Sequence, residues 1–544
     1  MEKTQFIKKS TYMLSQFQYK QQYFWLLLSA VALILIIRLG SPDIYILDEA
    51  KNAQCAREML QRNDLIIPTF NNQLRADKPP LHYFFMILAY KMFGISAFSA
   101  RFFSVVMGLL TLLITYFFTK KYVNSFVAFC GVLVLATSTH FLFEFRLAVP
   151  DPYLIFFLTL GLLSAYAWLQ ENNPLQLYIA SVSFGLAILS KGPIAIILPG
   201  LCLLIWVIWQ KKWKQIINKH FWFALILIVL IALPWYILVH EATNGLWTKA
   251  FLWDHNFGRF VKIKEGHGGF FFVTILFFFI GLFPFMSFIG EVIKNRRIVL
   301  GESLMKFSTL VVIVFTTFFC FSKTKLPNYS MPCYPFAAIV LGHFISLLLT
   351  KKIEAKKYPF YILLGITMLL PFIGYFVIGN EIETVHVKWV ALLLLIVPFI
   401  FLFFINHLNW DWQKKILVIS IAFSIFNIIG LEVVYPVLYG QNPVAKTISV
   451  VKKNQYIVAY RNYNSGYNFH ITGFIKEYQT IDSLRYTLLK HPDALVISKE
   501  QYIDSLKTLN LSVIAKHHDL FESPTTIILR GKTDQIVPLL TNTN

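Results

Sequence analysis

Residues 221–240 read FWFALILIVLIALPWYILVH and contain no Asp, Glu, Lys or Arg. A run of about 20 apolar residues is long enough to cross the hydrocarbon of a bilayer as a helix. Comparable runs recur along most of the 544 residues, of which 57% are hydrophobic and only 14% are charged. Ordinary soluble domains carry about 25% charged residues. The sequence therefore predicts an all-α polytopic membrane protein.

About thirteen such runs are long enough to serve as membrane spans. Their approximate bounds are 23–40, 98–119, 124–142, 153–170, 176–190, 193–209, 221–240, 270–290, 307–321, 331–350, 359–378, 387–406 and 415–437. The region 176–209 leaves two interpretations open, because Lys191-Gly192-Pro193 fits either a hairpin tip or a kink. The first run lacks the small-residue cleavage site of a signal peptide, so we expect it to be retained as a span.

Loops rich in Lys and Arg predict the orientation in the membrane. With a cytoplasmic N-terminus, the alternate set of segments that faces inside is strongly basic, and comprises the N-terminal tail, 120–121, 210–220, 294–297 and 350–357. The other set would face outside, and comprises 41–97, 143–152, 241–269, 322–330 and everything after about 440. We expect a cell (inner) membrane protein whose active site and C-terminal part lie on the extracytoplasmic side.

Three regions follow from this pattern: a cytoplasmic tail (1–22), a transmembrane domain (23–440) and an outer α/β domain (441–544). The outer loop 41–97 is expected to hold two helices, at 48–60 and at 79–94, the second lying at the membrane interface. In the outer domain, the pattern predicts strands at 456–463, 494–500, 512–517 and 525–531 and helices at 482–491 and 500–509. No Gly-rich phosphate loop follows these strands, so we assign the domain no catalysis.

The net charge of +21 does not indicate nucleic-acid binding, because the lysines cluster at the ends of apolar runs. The five cysteines have no metal-ligand spacing such as CxxC. No cofactor is assigned, and a divalent cation held by paired acidic residues stays an open alternative.

Two acidic sites in the outer segments are candidates for chemistry. Asp48 and Glu49 come just after the first span, where a carboxylate can act as a general base, orient an acceptor or hold a cation. The structural alternative for Asp48 is a cap of the following helix. Asp151 lies between two prolines at the mouth of a span, where a charge is costly unless it is paired or hydrated. Its structural alternative is likewise a helix cap.

Two lysines are candidates for binding a phosphate. Lys78 stands in RADKPPLHYF (75–84), and the prolines after it hold its backbone extended, which aims the side chain. A fixed ammonium suits a phosphate leaving group whose charge grows during reaction. Lys191 stands alone between two apolar runs in SKGP (190–193). The alternatives are contact with lipid headgroups for Lys78 and snorkelling to the interface for Lys191.

Further donors are supplied by WDHNFGRFVKIKEGHGG (253–269) and SKTKLPNYSMPCYP (322–335). In them, Arg259 can grip a phosphate bidentately, whereas the lysines act as point charges. Cations kept on the outer side against the usual charge rule indicate an anionic ligand there. The residues that we place in a substrate pocket are Glu49, Asp77, His82, His255, Lys325 and Tyr329.

At these residues the chain resembles the lipid-carrier-dependent glycosyltransferases of the membrane-embedded C-type fold. It is most like the bacterial aminoarabinose transferases that act on lipid A, and more distantly like the protein O-mannosyltransferases. The resemblance covers roughly residues 20–350 and rests on the segment 48–84 and on the order of the FRLAVPDP, SKGP and KLPNYSMPCYP motifs. The chain departs from the family at Lys51-Asn52, where an aromatic and a basic residue are common, and at Asp77, where Glu is common.

The resemblance implies a polyprenyl (undecaprenyl) phosphate sugar donor and inversion at the anomeric carbon. It implies catalytic roles for Asp48 and Asp151, and contact with the donor phosphate for Lys78, Lys191 and Arg259. The acceptor would be a lipid A-type phosphate or another extracytoplasmic group, with protein O-glycosylation as the alternative. The partners expected are thus the lipid-linked donor, a lipid or protein acceptor and membrane lipids, with no nucleic acid. An alternative of another class is a transporter or flippase of an anionic lipid, although the chain shows no internal repeat.

Overall fold

The computed structural model describes residues 19–258, 269–405, 411–454, 456–471 and 473–531. Within these ranges, nine helices are long and apolar enough to cross a membrane. They are Ala97–Tyr122, Asp151–Glu171, Pro174–Lys191, Lys219–Ala242, Ser303–Phe321, Pro327–Leu349, Tyr358–Asn380, Val385–Phe404 and Trp412–Tyr439. The predicted helical, polytopic membrane architecture is confirmed.

The other predicted spans coincide with shorter or broken helices. Val273–Gly281 and Phe285–Lys294 form a pair bent by 113° at Pro284. Three apolar helices, Gln22–Ile36, Ser125–Thr137 and Ile194–Trp209, have 15, 13 and 16 residues. At 1.5 Å per residue they extend only about 20–24 Å, less than the hydrocarbon thickness. The number of thirteen crossings therefore stays a prediction. The region 176–209 forms two helices, because the first ends at Gly192, whose φ is +83°.

Burial divides the helices into an inner and an outer set. Asp151–Glu171 and Pro327–Leu349 bury 94% and 89% of their apolar windows, so they lie at the centre of the helical domain. Lys219–Ala242 and Tyr358–Asn380 bury only 28% and 22%, so most of their apolar surface faces outward. Helices of this exposed, apolar kind suit a lipid surrounding.

The segment between the helices Gln22–Ile36 and Ala97–Tyr122, which we call the first loop, is folded. Its first helix (Leu47–Arg62), called the first-loop helix, is followed by a short hairpin of β1 (Thr69–Phe70) and β2 (Gln73–Leu74). The second helix of the same loop (Leu81–Phe93) comes next and is called the second-loop helix. Both helices were predicted. The first-loop helix is polar, yet most of its residues are buried, so it packs as an integral part of the protein rather than as a flexible connection.

The C-terminal part contains a five-stranded sheet of order β4-β3-β5-β7-β6. Its strands are β3 (Ile457–Tyr460), β4 (Lys476–Tyr478), β5 (Leu495–Lys499), β6 (Leu511–His518) and β7 (Thr525–Gly531). β3 pairs in parallel with β4 and β5, and β7 pairs antiparallel with β5 and β6. The sequence predicted four of these strands and missed β4, which has three residues at the sheet edge and too short a pattern to read.

Helices and turns complete the chain. The helix predicted at 482–491 is present as Ile481–Lys490, and 500–509 is helical as predicted, in three consecutive short segments, Glu500–Tyr502, Ile503–Leu506 and Lys507–Leu509. The remaining short elements are Thr139–Glu144, Trp213–Ile216, Leu246–Lys249, the π-helix Ala250–Phe257, Arg296–Val299, Pro443–Val451 and Gly466–His470.

The first loop and the C-terminal sheet are joined by hydrogen bonds. Arg57 donates to the carbonyl oxygens of Phe469 and Ile471 at 3.1 and 2.8 Å. The Asn71 side chain donates to the carbonyl oxygen of Ile475 at 2.7 Å and accepts from its N–H at 3.0 Å. These contacts place the helix Gly466–His470 and the residue before β4 against the first loop.

Candidate functional site

A cavity of about 350 Å³ lies where the first loop meets the ends of several long helices. We call it the donor cavity. Its charged and polar lining comprises Asp48, Asp77, Lys78, Asp151, Lys191, His255, Ser322, Asn328 and Tyr329. The rest of the lining is apolar and comprises Leu154, Leu158, Pro193, Ile194, Ile197, Leu198, Phe251, Leu252, Phe315, Phe318, Phe319, Leu326 and Pro332. Leu154 and Leu158 lie about one and two helical turns beyond Asp151 on the same helix, so the lining changes from a charged end to an apolar end.

The first loop supplies one charged pair of the donor cavity. Asp48 is the second residue of the first-loop helix, and the cap position before that helix is held by Ile46, so Asp48 does not serve as the cap. The carboxylate lies 4.0 Å from the Nζ atom of Lys78. The Asp48 side chain is 53% exposed and that of Lys78 only 9%, so the acid is open to solvent and the lysine is held. Lys78 stands just before Pro79 and Pro80, which lead into the second-loop helix.

Two adjacent helix ends supply the second charged pair. Asp151 is the first residue of its helix, and Pro150 occupies the cap position. The Nζ atom of Lys191, the last residue of the neighbouring helix, donates to the Asp151 carboxylate at 2.5 Å. Lys191 also lies 5.6 Å from the centre of the Tyr329 ring, within the range of a cation–π contact. Both ends of this pair are placed by the turns that terminate their helices.

A third acid completes the charged end. Asp77 lies 3.2 Å from Nε2 of His255 and 3.6 Å from Nη2 of Arg75. His255 stands on the π-helix Ala250–Phe257, so this pair ties the first loop to the segment after the helix Lys219–Ala242.

Other residues predicted for the site lie elsewhere. Glu49 is fully buried away from the cavity lining, and Arg101 donates to both of its carboxylate oxygens at 2.7 and 2.8 Å. Lys325 donates to three carbonyl oxygens at the end of the helix Ser303–Phe321, where a cation stabilises the helix terminus. His82 is also fully buried and does not line the cavity. Arg259 lies outside the described residues.

Glu144 is a buried acid beside the donor cavity that the sequence analysis did not select. Burial is the main cause that raises its pKa to about 8, and the charge of Asp151 adds to this, while Lys191 and a hydrogen bond with Asn328 oppose it. The residue immediately precedes the FRLAVPDP motif. Its position next to a motif with Asp151 was the available signal, but a lone Glu at a helix end is too common to choose.

Among the described residues, no group of three or more His, Cys, Asp or Glu side chains could hold a metal ion. The lysine ammoniums and carboxylates of the donor cavity can bind an anion, position a neutral group and remove a proton.

Comparison with known proteins points to one group. Residues 25–248 match the family model described as dolichyl-phosphate-mannose-protein mannosyltransferase. The chain is 26% identical over 333 residues to an uncharacterized protein of Aquifex aeolicus, which covers 61% of this chain and 65% of that protein. It is 27% identical over 334 residues to the undecaprenyl phosphate-alpha-4-amino-4-deoxy-L-arabinose arabinosyl transferase 2 of Pseudomonas fluorescens, covering 59% of each. By sequence, the chain is therefore similar to lipid-carrier-dependent membrane glycosyltransferases over part of its length.

The fold is similar to that of a solved structure over nearly the whole chain. The crystal structure of ArnT from Cupriavidus metallidurans bound to undecaprenyl phosphate superposes with a TM-score of 0.74, covering 94% of this chain and 98% of that chain at 17% identity. The sequence matches are shorter than the structural one: the chain spans only about three fifths of the length of the aminoarabinose transferase that it matches. The membrane helices and the C-terminal sheet are thus shared as a fold beyond the reach of the sequence match.

Proposed function

We propose that this protein transfers a sugar from a polyprenyl phosphate carrier, undecaprenyl phosphate, to an acceptor on the extracytoplasmic side of the inner membrane. The observation that carries the proposal is the division of the donor cavity into a charged end and an apolar end. A prenyl chain joined to a phosphate has the same division. We place the N-terminus in the cytoplasm, which puts the first loop and the C-terminal sheet outside.

The lysines are suited to the leaving group. In an inverting transfer, an acceptor oxygen forms a bond with the anomeric carbon while the bond from that carbon to the carrier phosphate oxygen breaks. The phosphate then gains negative charge, which Lys78 and Lys191 stabilise from fixed positions in which their side chains are only 9% and 18% exposed. Each lysine already lies beside an aspartate, so its side chain is oriented before the donor arrives. Arg259 would add a third cation.

The acids are suited to the acceptor side of the reaction. Asp48 is more exposed than Asp151, the other aspartate that pairs with a lysine. It can remove the proton of a hydroxyl acceptor as the new bond forms. A phosphate acceptor is already ionised at neutral pH, and Asp48 then orients the acceptor or the sugar. Asp151 holds Lys191 in place through its direct hydrogen bond.

We propose a lipid A-type phosphate as the acceptor, on the resemblance of the motifs to the aminoarabinose transferases that act on lipid A. The name of the similar Pseudomonas fluorescens protein supports the donor, an aminoarabinose on undecaprenyl phosphate. Protein O-glycosylation is the second candidate, favoured by the match of residues 25–248 to a protein mannosyltransferase family model. The two differ in product, since one is a modified lipid and the other a modified protein.

The test is turnover of labelled donor by purified protein. Undecaprenyl phosphate carrying a radiolabelled aminoarabinose is incubated with lipid A, and the lipid product is separated by chromatography and identified by mass spectrometry. We expect Asp48→Asn to abolish product formation while protein yield and thermal unfolding stay unchanged. The matched control is Asp482→Asn, a like change at a side chain that is 89% exposed on the C-terminal sheet domain, and it should transfer normally.

Each outcome discriminates. A fully active Asp48→Asn variant contradicts the assignment of that residue. Wild-type protein that forms no covalent product but moves labelled lipid between the leaflets of a vesicle is a flippase. Product on a protein rather than on lipid A selects the second candidate.

A further inference from the structure

A second depression, of about 670 Å³, lies between the first loop and the C-terminal sheet. We call it the loop–sheet groove. Lys51, Asn71 and Gln73 line it from the loop, and Arg461, Gln479 and Tyr502 line it from the sheet. None of these six residues lines the donor cavity, so the chemistry proposed above leaves the groove without a role.

The groove lies at the position where open sheets of parallel strands bind ligands. After β3 the chain first forms β4 on one side of it and later β5 on the other side, and all three strands run parallel. The connections after β3 therefore diverge and leave a crevice at the carboxyl ends of the strands, which is the general ligand position of such sheets. Arg461 directly follows β3, Gln479 follows β4 and Tyr502 comes three residues after β5.

Arg461 is held in an uncommon backbone conformation at this edge. Its φ is +57°, and its backbone N–H donates to the carbonyl oxygen of Tyr478 at 2.8 Å. The guanidinium lies over two rings, 5.4 Å from the centre of Tyr460 and 5.1 Å from that of Tyr502. A left-handed conformation costs a residue with a side chain roughly 1–2 kcal/mol and is found preferentially at functional sites. The cation is thus positioned in advance.

The opposite wall is equally rigid. Asn71 has a φ of +53°, and its backbone N–H donates to the buried carboxylate of Glu58 at 2.7 Å. Its side chain is engaged by Ile475 and accepts from Asn468 at 3.1 Å. Both walls are therefore preformed, which lowers the entropy lost when a ligand binds.

The groove and the donor cavity share one helix. Asp48 lines the cavity and Lys51, three residues later on the first-loop helix, lines the groove. Residues three apart on a helix are neighbours with about 5–6 Å between their Cβ atoms. Among the described residues Lys51 forms no ion pair, so its ammonium is available to a ligand. A molecule held in the groove can reach the acid proposed to act on the acceptor.

The lining chemistry is that of a saccharide site. The side-chain amides of Gln73 and Gln479 both donate and accept hydrogen bonds, as sugar hydroxyls do. Aromatic rings such as Tyr502 offer a flat apolar face with a polar edge, to which the C–H face of a pyranose fits. Lys51 and Arg461 add two positive charges and Glu477 one negative charge, so the lining charges sum to a positive value that suits a phosphate carried by the sugar.

We infer that the loop–sheet groove binds the saccharide headgroup of the acceptor, and that Arg461 and Tyr502 orient it toward Asp48. The inference rests on the proposed function, since it assigns an acceptor site to that transfer. The occupant is a phosphorylated sugar that is attached to the acceptor lipid.

The experiment measures acceptor and donor constants separately, with lipid A and labelled undecaprenyl phosphate aminoarabinose as the probes. Arg461→Asn removes the guanidinium and keeps a residue that tolerates positive φ. We expect the KM for lipid A to rise about tenfold, the loss of one charged contact, with the donor KM unchanged. The matched control is Arg485→Asn, an arginine on the helix Ile481–Lys490 that pairs with Asp482 outside the groove, and it should leave both constants unchanged.

A direct binding measurement separates this inference from the proposed function. Isothermal titration of the detergent-solubilised protein with the glucosamine disaccharide bisphosphate of deacylated lipid A needs no turnover. Binding by wild type that is weakened in Arg461→Asn supports the groove even if lipid A is not the physiological acceptor. Equal binding by both proteins, or a lipid A KM that stays unchanged, overturns the inference. Gln479→Ala is the second variant and decides the matter by the same criteria if Arg461→Asn does not fold.

Discussion

Glu144 lies beside the donor cavity, whose charge depends on whether this buried side chain is ionised. Its pKa is raised to about 8, first by burial and then by the charge of Asp151. Below this value the side chain is neutral, and the cavity holds only the charges of its aspartates and lysines. Above it, a further negative charge appears beside Asp151 and competes for Lys191. Asp48 and Asn328 are the other groups that act on Glu144.

We predict that Glu144→Gln removes the alkaline decline of activity. In the wild type, transfer should fall severalfold between pH 7 and pH 9, because ionised Glu144 draws Lys191 away from the donor phosphate. Gln mimics the neutral acid and should hold its pH 7 rate at pH 9. The measurement is the initial rate of sugar transfer across this range. Glu354→Gln, at an exposed position, is the control and should follow the wild-type profile.

The same ionisation has a consequence for stability. A carboxyl whose pKa is raised in the folded state stabilises the fold fully below its unfolded pKa and loses this contribution as pH rises through the folded value. Thermal unfolding of the wild type should therefore occur at lower temperature at pH 9 than at pH 6, by a larger margin than in Glu144→Gln. An identical pH dependence in the two proteins contradicts a neutral Glu144.

At the scale of secondary-structure elements, the main feature is a close crossing of two helices. Gly342 of the helix Tyr334–Leu349 faces Gly131 of the helix Ser125–Thr137, and a Cβ atom at position 342 would lie 2.3 Å from the Gly131 nitrogen. Backbones of membrane helices approach this closely only where the side chains are small. The helix Tyr334–Leu349 belongs to the central set and continues from the turn that carries Tyr329, so this crossing supports one wall of the donor cavity.

We predict that Gly342→Ala destabilises the protein by about 1–3 kcal/mol, since the added methyl group forces two backbones apart. The matched control is Gly365→Ala in the helix Tyr358–Asn380, where nothing lies within 4 Å of the added Cβ atom. There Ala should be neutral or stabilising by up to about 1 kcal/mol, because it is the better helix former. Thermal unfolding in detergent measures both effects. Equal unfolding temperatures of the Gly342→Ala and Gly365→Ala variants would contradict a close contact at Gly342.

At the scale of the whole molecule, the attachment of the C-terminal sheet to the rest of the chain is the main feature. Asn71 and Arg57 bind the sheet from the first loop. From another direction, Glu381 and Glu383 accept hydrogen bonds from the backbone and side chains of residues 517–521, and Lys446 pairs with Glu383 at 2.7 Å. The sheet is therefore held at two places, and the loop–sheet groove depends on the first of them.

We predict that Asn71→Gly loosens this attachment without changing the turn. Glycine accepts the positive φ, so the substitution removes only the three side-chain hydrogen bonds, each contributing about 0.5–1.5 kcal/mol. Trypsin should cleave near Lys452 and Lys453 several times faster than in wild type. Asn72→Gly is the control, because Asn72 has a φ of +61° in the same turn and an exposed side chain. Equal cleavage rates in the two variants contradict the role of Asn71.

The sequence by itself determined the helices and the residues of the motifs. A helix in hydrocarbon satisfies its own backbone hydrogen bonds, so a run such as 221–240 predicts a membrane-spanning helix without reference to the rest of the chain. Four charged residues could be selected for a related reason, namely Asp48, Lys78, Asp151 and Lys191. Each lies next to a helix end or a proline, where the free-energy cost of a charge beside an apolar run can be recognised from the local sequence. The structure brings these four side chains into one cavity; their roles stay predictions.

Only the tertiary structure decided which of the remaining charges face that cavity. Glu49 adjoins Asp48, yet it is paired with Arg101, which is 52 residues away, and Lys325 turns back onto the carbonyl oxygens of the helix before it. Glu144 and the loop–sheet groove were likewise out of reach. The physical reason is that the state of a buried charge depends on its partner, and a partner supplied by another helix or by the far end of the chain leaves no trace in the local pattern.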